Sequence, residues 1–149
     1  MKCAKWVLVS LIVMAPALHA LDVSYGNFLT ITGIERAAGK VILPVERKKY
    51  YNVRILDKNT YQFVTICPAP CVQKVANMKV TVADVRAAKE RPDMWIVNVS
   101  FNQDWQGAFL VFCHEGKYSV KPPANLIFVQ QALKKRTEEA IVAAVKELK

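Results

Sequence analysis

Residues 94–121 read MWIVNVSFNQDWQGAFLVFCHEGKYSVK, and this stretch decides the fold class. Trp95, Val97, Val99 and Phe101 alternate with Asn98 and Ser100, the two-residue period of a half-buried strand. Ala108–Cys113 is apolar without a break, which suits a strand covered on both faces. Asn102-Gln103-Asp104 is turn-like. His114-Glu115-Gly116-Lys117 reads as a hairpin loop in which Gly supplies the left-handed residue before Tyr118–Lys121. A hairpin loop of this kind joins antiparallel strands.

The same alternation marks Asn27–Thr32, Val80 and Val82, and Tyr51, Val53 and Ile55. Gly39–Val45 and Tyr61–Cys67 are more continuously apolar, broken only by Lys40, Gln62 and Thr65, and are predicted as strands covered on both faces. Arg36–Gly39, Asp57–Asn59 and Arg91–Asp93 separate these segments as turns. After Pro122-Pro123 the period changes. Leu126, Val129, Leu133, Thr137, Ala140, Ile141, Ala144 and Leu148 share one helical face, with Asn125 as N-cap and Lys134, Glu138, Glu139 and Lys146 opposite. The predicted architecture is α+β: a mostly antiparallel sheet or partly open β-barrel of six to eight strands, sealed by one amphipathic C-terminal helix.

The first 20 residues have the layout of a secretory signal. Lys2 and Lys5 precede the apolar run Trp6–Met14, and small residues follow at Ala15, Ala17 and Ala20. The run is too short to span a bilayer, which takes about 20 residues. Cleavage is expected after Ala20, or after Ala17 on a stricter reading, leaving residues 21–149 as one globular domain without a transmembrane segment. The chain carries a net charge of +9, and processing removes two lysines and no acid, leaving +7. The expected location is periplasmic or secreted.

Export makes cysteines disulfide candidates first. Processing removes Cys3 and leaves Cys67, Cys71 and Cys113, an odd number. Were Cys67-Pro68-Ala69-Pro70-Cys71 to run as polyproline, its end Cα atoms would stand roughly 12 Å apart, against less than about 7 Å for a disulfide. Ala69 also avoids the helical region because a proline follows it, so a Cys67–Cys71 bridge calls for a cis bond before Pro70. Pairing either Cys67 or Cys71 with Cys113 avoids that demand and closes a longer loop, worth about 4 kcal/mol against about 2 for the short one. Cys67–Cys113 is therefore the first expectation and Cys67–Cys71 the alternative, and one thiol stays over in both.

Two resemblances attach to these residues. The Cys67/Cys71 pair with Cys113-His114 resembles the copper and thiol chemistry of Sco-type envelope proteins, which implies a Cu(I) or thiol-exchange site on Cys67, Cys71, Cys113 and His114. Tyr61-Gln62 followed by Cys67 and Cys71 resembles the rigid cysteine-bracketed loop of periplasmic lysozyme inhibitors, which implies a loop presented to a cell-wall hydrolase. In a strand, however, the consecutive Cys113 and His114 point to opposite faces.

No G-x-S-x-G, P-loop, H-E-x-x-H or glycine-rich nucleotide fingerprint occurs. His114 is the sole histidine left after processing, on a predicted hairpin tip, and no enzyme activity is expected. A carboxylate pair among Asp84, Glu90, Asp93, Asp104 and Glu115 is a residual option that spacing cannot test. Arg47, Lys48, Lys49 and Arg54 form one basic cluster and Lys134, Lys135 and Arg136 another, both candidates for binding an anionic surface. The function expected is a non-enzymatic binding or assembly component of the bacterial envelope or of a secretion apparatus. A protein partner is expected and nucleic acid is not; no cofactor is expected, with copper as the alternative.

Overall fold

The computed structural model describes residues 19–45 and 52–148. The signal-like stretch 1–20, save His19 and Ala20, and the basic residues Arg47, Lys48 and Lys49 lie outside the described residues. The described chain is mixed α+β, with ten strands and two helices. In order these are β1 (His19–Tyr25), β2 (Leu29–Ala37), β3 (Lys40–Ile42), β4 (Val53–Ile55), α1 (Lys58–Ile66), β5 (Cys71–Gln73), β6 (Val80–Ala87), β7 (Met94–Phe101), β8 (Trp105–His114), β9 (Lys117–Lys121), β10 (Leu126–Phe128) and α2 (Gln131–Leu148).

The strands form two five-stranded sheets that do not close into a barrel. The first runs β10-β2-β1-β5 with β3 also on β2, and every pairing except the parallel β1–β5 is antiparallel. The second runs β4-β8-β7-β6 with β9 also on β8, all antiparallel. The stretch 94–121 forms the centre of this second sheet, as its alternation requires. Glu115 and Gly116 both take positive φ in the two-residue turn between β8 and β9, at 53° and 78°. Ala108, Phe109, Leu110 and Val111 are all buried, so β8 is covered on both faces.

Side chains from both sheets meet in one core. Val23, Tyr25, Leu29 and Ile31 come from the first sheet, and Val97, Val99, Phe101, Trp105, Phe109 and Val111 from the second. Phe101, Phe109 and Phe128 form an aromatic triad with centroids 6.2–6.4 Å apart, inside the range where ring quadrupoles attract. Gly107 lets β10 approach closely: a Cβ there would stand 3.3 Å from Leu126 and 3.2 Å from Phe109. α2 seals the core with Leu133, Thr137, Ile141 and Val145, one residue per turn.

Three segments differ from the sequence expectation. Tyr61–Cys67 is not a strand: Tyr61–Ile66 belongs to α1 and Cys67 is its C-cap. Asp57 caps this helix by accepting from the Thr60 N–H at 3.3 Å, and Thr60 and Val64, four apart, are its buried stripe. A short apolar run has no period long enough to tell strand from helix, so the cap decides. Gly39–Val45 is not covered on both faces. Its strand β3 lies at a sheet edge, with Ile42 and Val45 exposed. The C-terminal helix starts later than expected: Leu126–Phe128 pairs with β2 instead, Asn125 is no N-cap, and Val129 and Leu148 are exposed. A Leu-Ile-Phe segment that fills the edge of β2 satisfies its backbone groups in a ladder, which outweighs the helical spacing of Leu126 and Val129.

Tyr25 ties the two sheets. Its buried hydroxyl donates to Asp104 and accepts from Asn102 Nδ2 at 3.1 Å, both residues lying in the β7–β8 turn. Asn102 uses its other groups too, accepting from Lys79 N–H and donating to the Asn77 carbonyl, both at 2.7 Å. Burial, and then the bond to Asp104, push the phenol well above its ordinary pKa of 10. With a folded pKa above the unfolded one, this contribution is complete below pH 10 and is lost as pH rises through and beyond it. Tyr25→Phe should cost about 1–3 kcal/mol in urea unfolding at pH 7. It should also flatten the fall in melting temperature above pH 10, and an unchanged alkaline slope would mean that the bond does not form.

Candidate functional site

α1 ends at Ile66 with its last carbonyls lacking helical partners, and Cys67 leaves the helix in extended geometry, φ −66° and ψ 126°. Pro68 follows and cannot continue a helix. Arg36 of β2 reaches this terminus from the neighbouring sheet. Its Nη1 donates to the carbonyl of Cys67 at 2.5 Å and lies 3.3 and 3.4 Å from those of Val64 and Thr65. A cation on the negative end of a helix satisfies orphan acceptors and interacts favourably with the dipole at once.

Beyond Arg36 the chain closes on itself. Cys67 and Cys71 are disulfide-bonded with Cα atoms 5.6 Å apart, and the Ala69–Pro70 bond is cis. This is the alternative pairing with the cis bond it called for; the first expectation, Cys67–Cys113, is not the pair the structure makes. The chain-entropy comparison favoured the longer loop, yet β5 aligns Cys71 with Val23 in the first sheet while Cys113 lies one residue before the end of β8 in the second.

The closed loop is apolar and outward. Both sulfur-bearing residues are buried, Cys67 at 6% and Cys71 at 1% exposure. Between them Pro68, Ala69 and Pro70 are exposed, and at the two ends Ile66 is 80% and Val72 54% exposed. Five consecutive non-cysteine positions thus turn uncharged apolar surface to solvent. A scattered exposed apolar side chain means little, whereas a contiguous set held on a rigid support marks an interaction surface.

The other candidate residues are dispersed. Cys113 is a half-buried free thiol packed against the core, and its N–H donates to the Asp93 carbonyl at 2.9 Å. His114 is exposed, 3.7 Å from Glu115. Among the described residues no three His, Cys, Asp or Glu side chains gather as a metal site, so Cys67, Cys71, Cys113 and His114 are not brought together as one. Arg54 is exposed on β4 opposite Gln106. Lys134, Lys135 and Arg136 occupy the start of α2, where Arg136 donates to the Met78 carbonyl at 3.3 Å. A groove of about 700 Å³ between α2 and β9 sets Lys135 and Lys146 beside Glu138 and Glu139, without net charge. Among the described residues no helix is long and apolar enough to cross a membrane.

No family model matches the chain, and no curated protein or solved structure matches it. Function has to be read from the geometry. Arg36, Ile66 and Val72 are the site residues that sequence reading missed. Ile66 and Val72 flank the cysteines and could have been found by asking what a closed CxxxC loop exposes, but nothing near Arg36 in the chain points to its role.

Alkylation without reduction should label Cys113, after mild unfolding if needed, and leave Cys67 and Cys71 unlabelled in intact-mass and peptide analysis. Arg36→Gln removes the charged donor and should cost about 1.5–3 kcal/mol, with faster amide exchange at Ile66 and Cys67. Exchange unchanged there would show that the loop holds without the clamp.

Proposed function

We propose that this chain is an exported, non-enzymatic binding component of the bacterial envelope or of a secretion apparatus, which presents the loop from Ile66 to Val72 to a protein partner. The observation that carries this reading is the exposed apolar tip on a support closed by Cys67–Cys71 and clamped by Arg36. Binding normally costs about 0.5–1.5 kcal/mol for each side chain immobilised, and a loop already held in shape has less to lose. Export is supported by the Lys2–Ala20 pattern and by the disulfide, which persists in an oxidising compartment. The basic charge raises encounter rates with acidic partners rather than defining the contact. Inhibition of a cell-wall hydrolase is a narrower form of the same reading, motivated by the exposed, charge-free residues between Ile66 and Val72.

The test places a benzophenone amino acid at position 68 in the full chain, in the cell that makes it, with Thr30 on β2 as the control position. One discrete adduct at position 68, absent at position 30 and lost in Ile66→Asp, is the expected result. Equal adducts at both positions, or none, would overturn the reading. Hydrolase inhibition is scored separately as inhibition of a lysozyme by the purified protein, lost in the same Ile66→Asp variant.

A further inference from the structure

The loop runs directly into β5, and β5 lies at the open edge of the first sheet. It pairs with β1 in parallel, aligning Cys71, Val72 and Gln73 with Val23, Ser24 and Tyr25. The Gln73 carbonyl accepts from Gly26 N–H at 2.8 Å, so Gln73 directs its backbone groups toward β1. In a parallel strand the N–H and C=O of one residue point the same way and alternate from residue to residue. Cys71 therefore also faces β1, and the N–H and C=O of Val72 face outward from the edge. Val72 is 54% exposed beside the rigid apolar tip.

We infer that the partner docks by strand addition: an extended segment pairs with the Val72 N–H and C=O and lays an apolar side chain against Ile66 and Val72. This rests on the reading of the loop as a binding site and names the chemistry of what it binds. The backbone pattern of the edge selects an extended segment over a helix or a small molecule. A donor and an acceptor emerge from one residue in the plane of the sheet, the pattern a neighbouring strand satisfies, and main-chain bonds would give affinity while the flanking apolar groups give selectivity. The edge is also only three residues long, which limits indiscriminate sheet-to-sheet pairing while leaving room for a short segment.

Proline at position 72 removes the outward N–H alone, since the bonds to β1 come from Cys71 and Gln73, whereas threonine keeps the N–H and the branched shape. The position-68 crosslink in the full chain should fall at least about tenfold in Val72→Pro and stay within about twofold in Val72→Thr, a tenfold fall corresponding to about 1.4 kcal/mol. A crosslink that survives Val72→Pro, or is lost equally in Val72→Thr, would overturn strand addition while the loop remains a binding site. No crosslink in the unsubstituted chain would remove both. A second measurement does not depend on Val72→Pro folding. The purified protein is titrated with the synthetic hexapeptide Val-Thr-Val-Thr-Val-Thr while Val72 amide exchange is followed by NMR. Slowing of at least about tenfold at Val72 is expected, and exchange unchanged at peptide saturation, or slowed only outside residues 66–74, would overturn the inference.

Discussion

The hydroxyl of Tyr25 is buried between two sheets, where an unbonded polar group would cost about 1–3 kcal/mol. The turn after β7 is shaped to meet it. Asn102 and Gln103 both take positive φ, at 54° and 61°, a conformation that non-glycine residues adopt with reluctance. The turn is held there because Asn102 satisfies Tyr25 and the backbone of residues 77 and 79, while Asp104 accepts from Tyr25. One network thereby joins β1 of the first sheet to the β7–β8 hairpin of the second, next to Trp105, whose indole N–H donates to Gln73 of β5 at 3.3 Å. The strand that carries Cys71 is thus held from both sheets.

The loop inherits its rigidity from that arrangement. Cys71 is fixed by the ladder to β1, Cys67 by the end of α1, and Arg36 joins that helix end to β2. An exposed apolar sequence on a free chain would collapse or aggregate, whereas a covalently closed and clamped one stays presented. Burial of both cysteines beneath an exposed tip puts the cross-link in a supporting place. A Cu(I) site built on all of Cys67, Cys71, Cys113 and His114 would need those groups to converge, and β8 carries Cys113 and His114 into the second sheet.

The meander of residues 94–121 was legible because alternation, an unbroken apolar run and a Glu-Gly turn agree at every level, so local preference and global pairing coincide. The existence of the C-terminal helix was legible for the same reason. Its start was not, because Leu126–Phe128 has apolar spacing compatible with a helix and is captured by a ladder to β2 that no local pattern announces. α1 was hidden in the same way: Thr60 and Val64 give a stripe of only two residues, and the Asp57 cap is a stronger signal than the composition of the run. At the site, the requirement for a cis bond before Pro70 followed from the residues alone, and the structure contains that bond with the bridge that needs it.

The fold class, the strands on either side of the Glu115–Gly116 turn, the C-terminal helix and the two pairings open to Cys67 follow from the residues alone, because they depend on periodicity and on bond geometry over a few residues. Which pairing is made, that Arg36 meets the helix end at Cys67, and that Val72 stands at an edge come from the packed fold. Those outcomes depend on which strands become neighbours, and strand pairing is a competition among all segments for backbone partners that no single segment encodes.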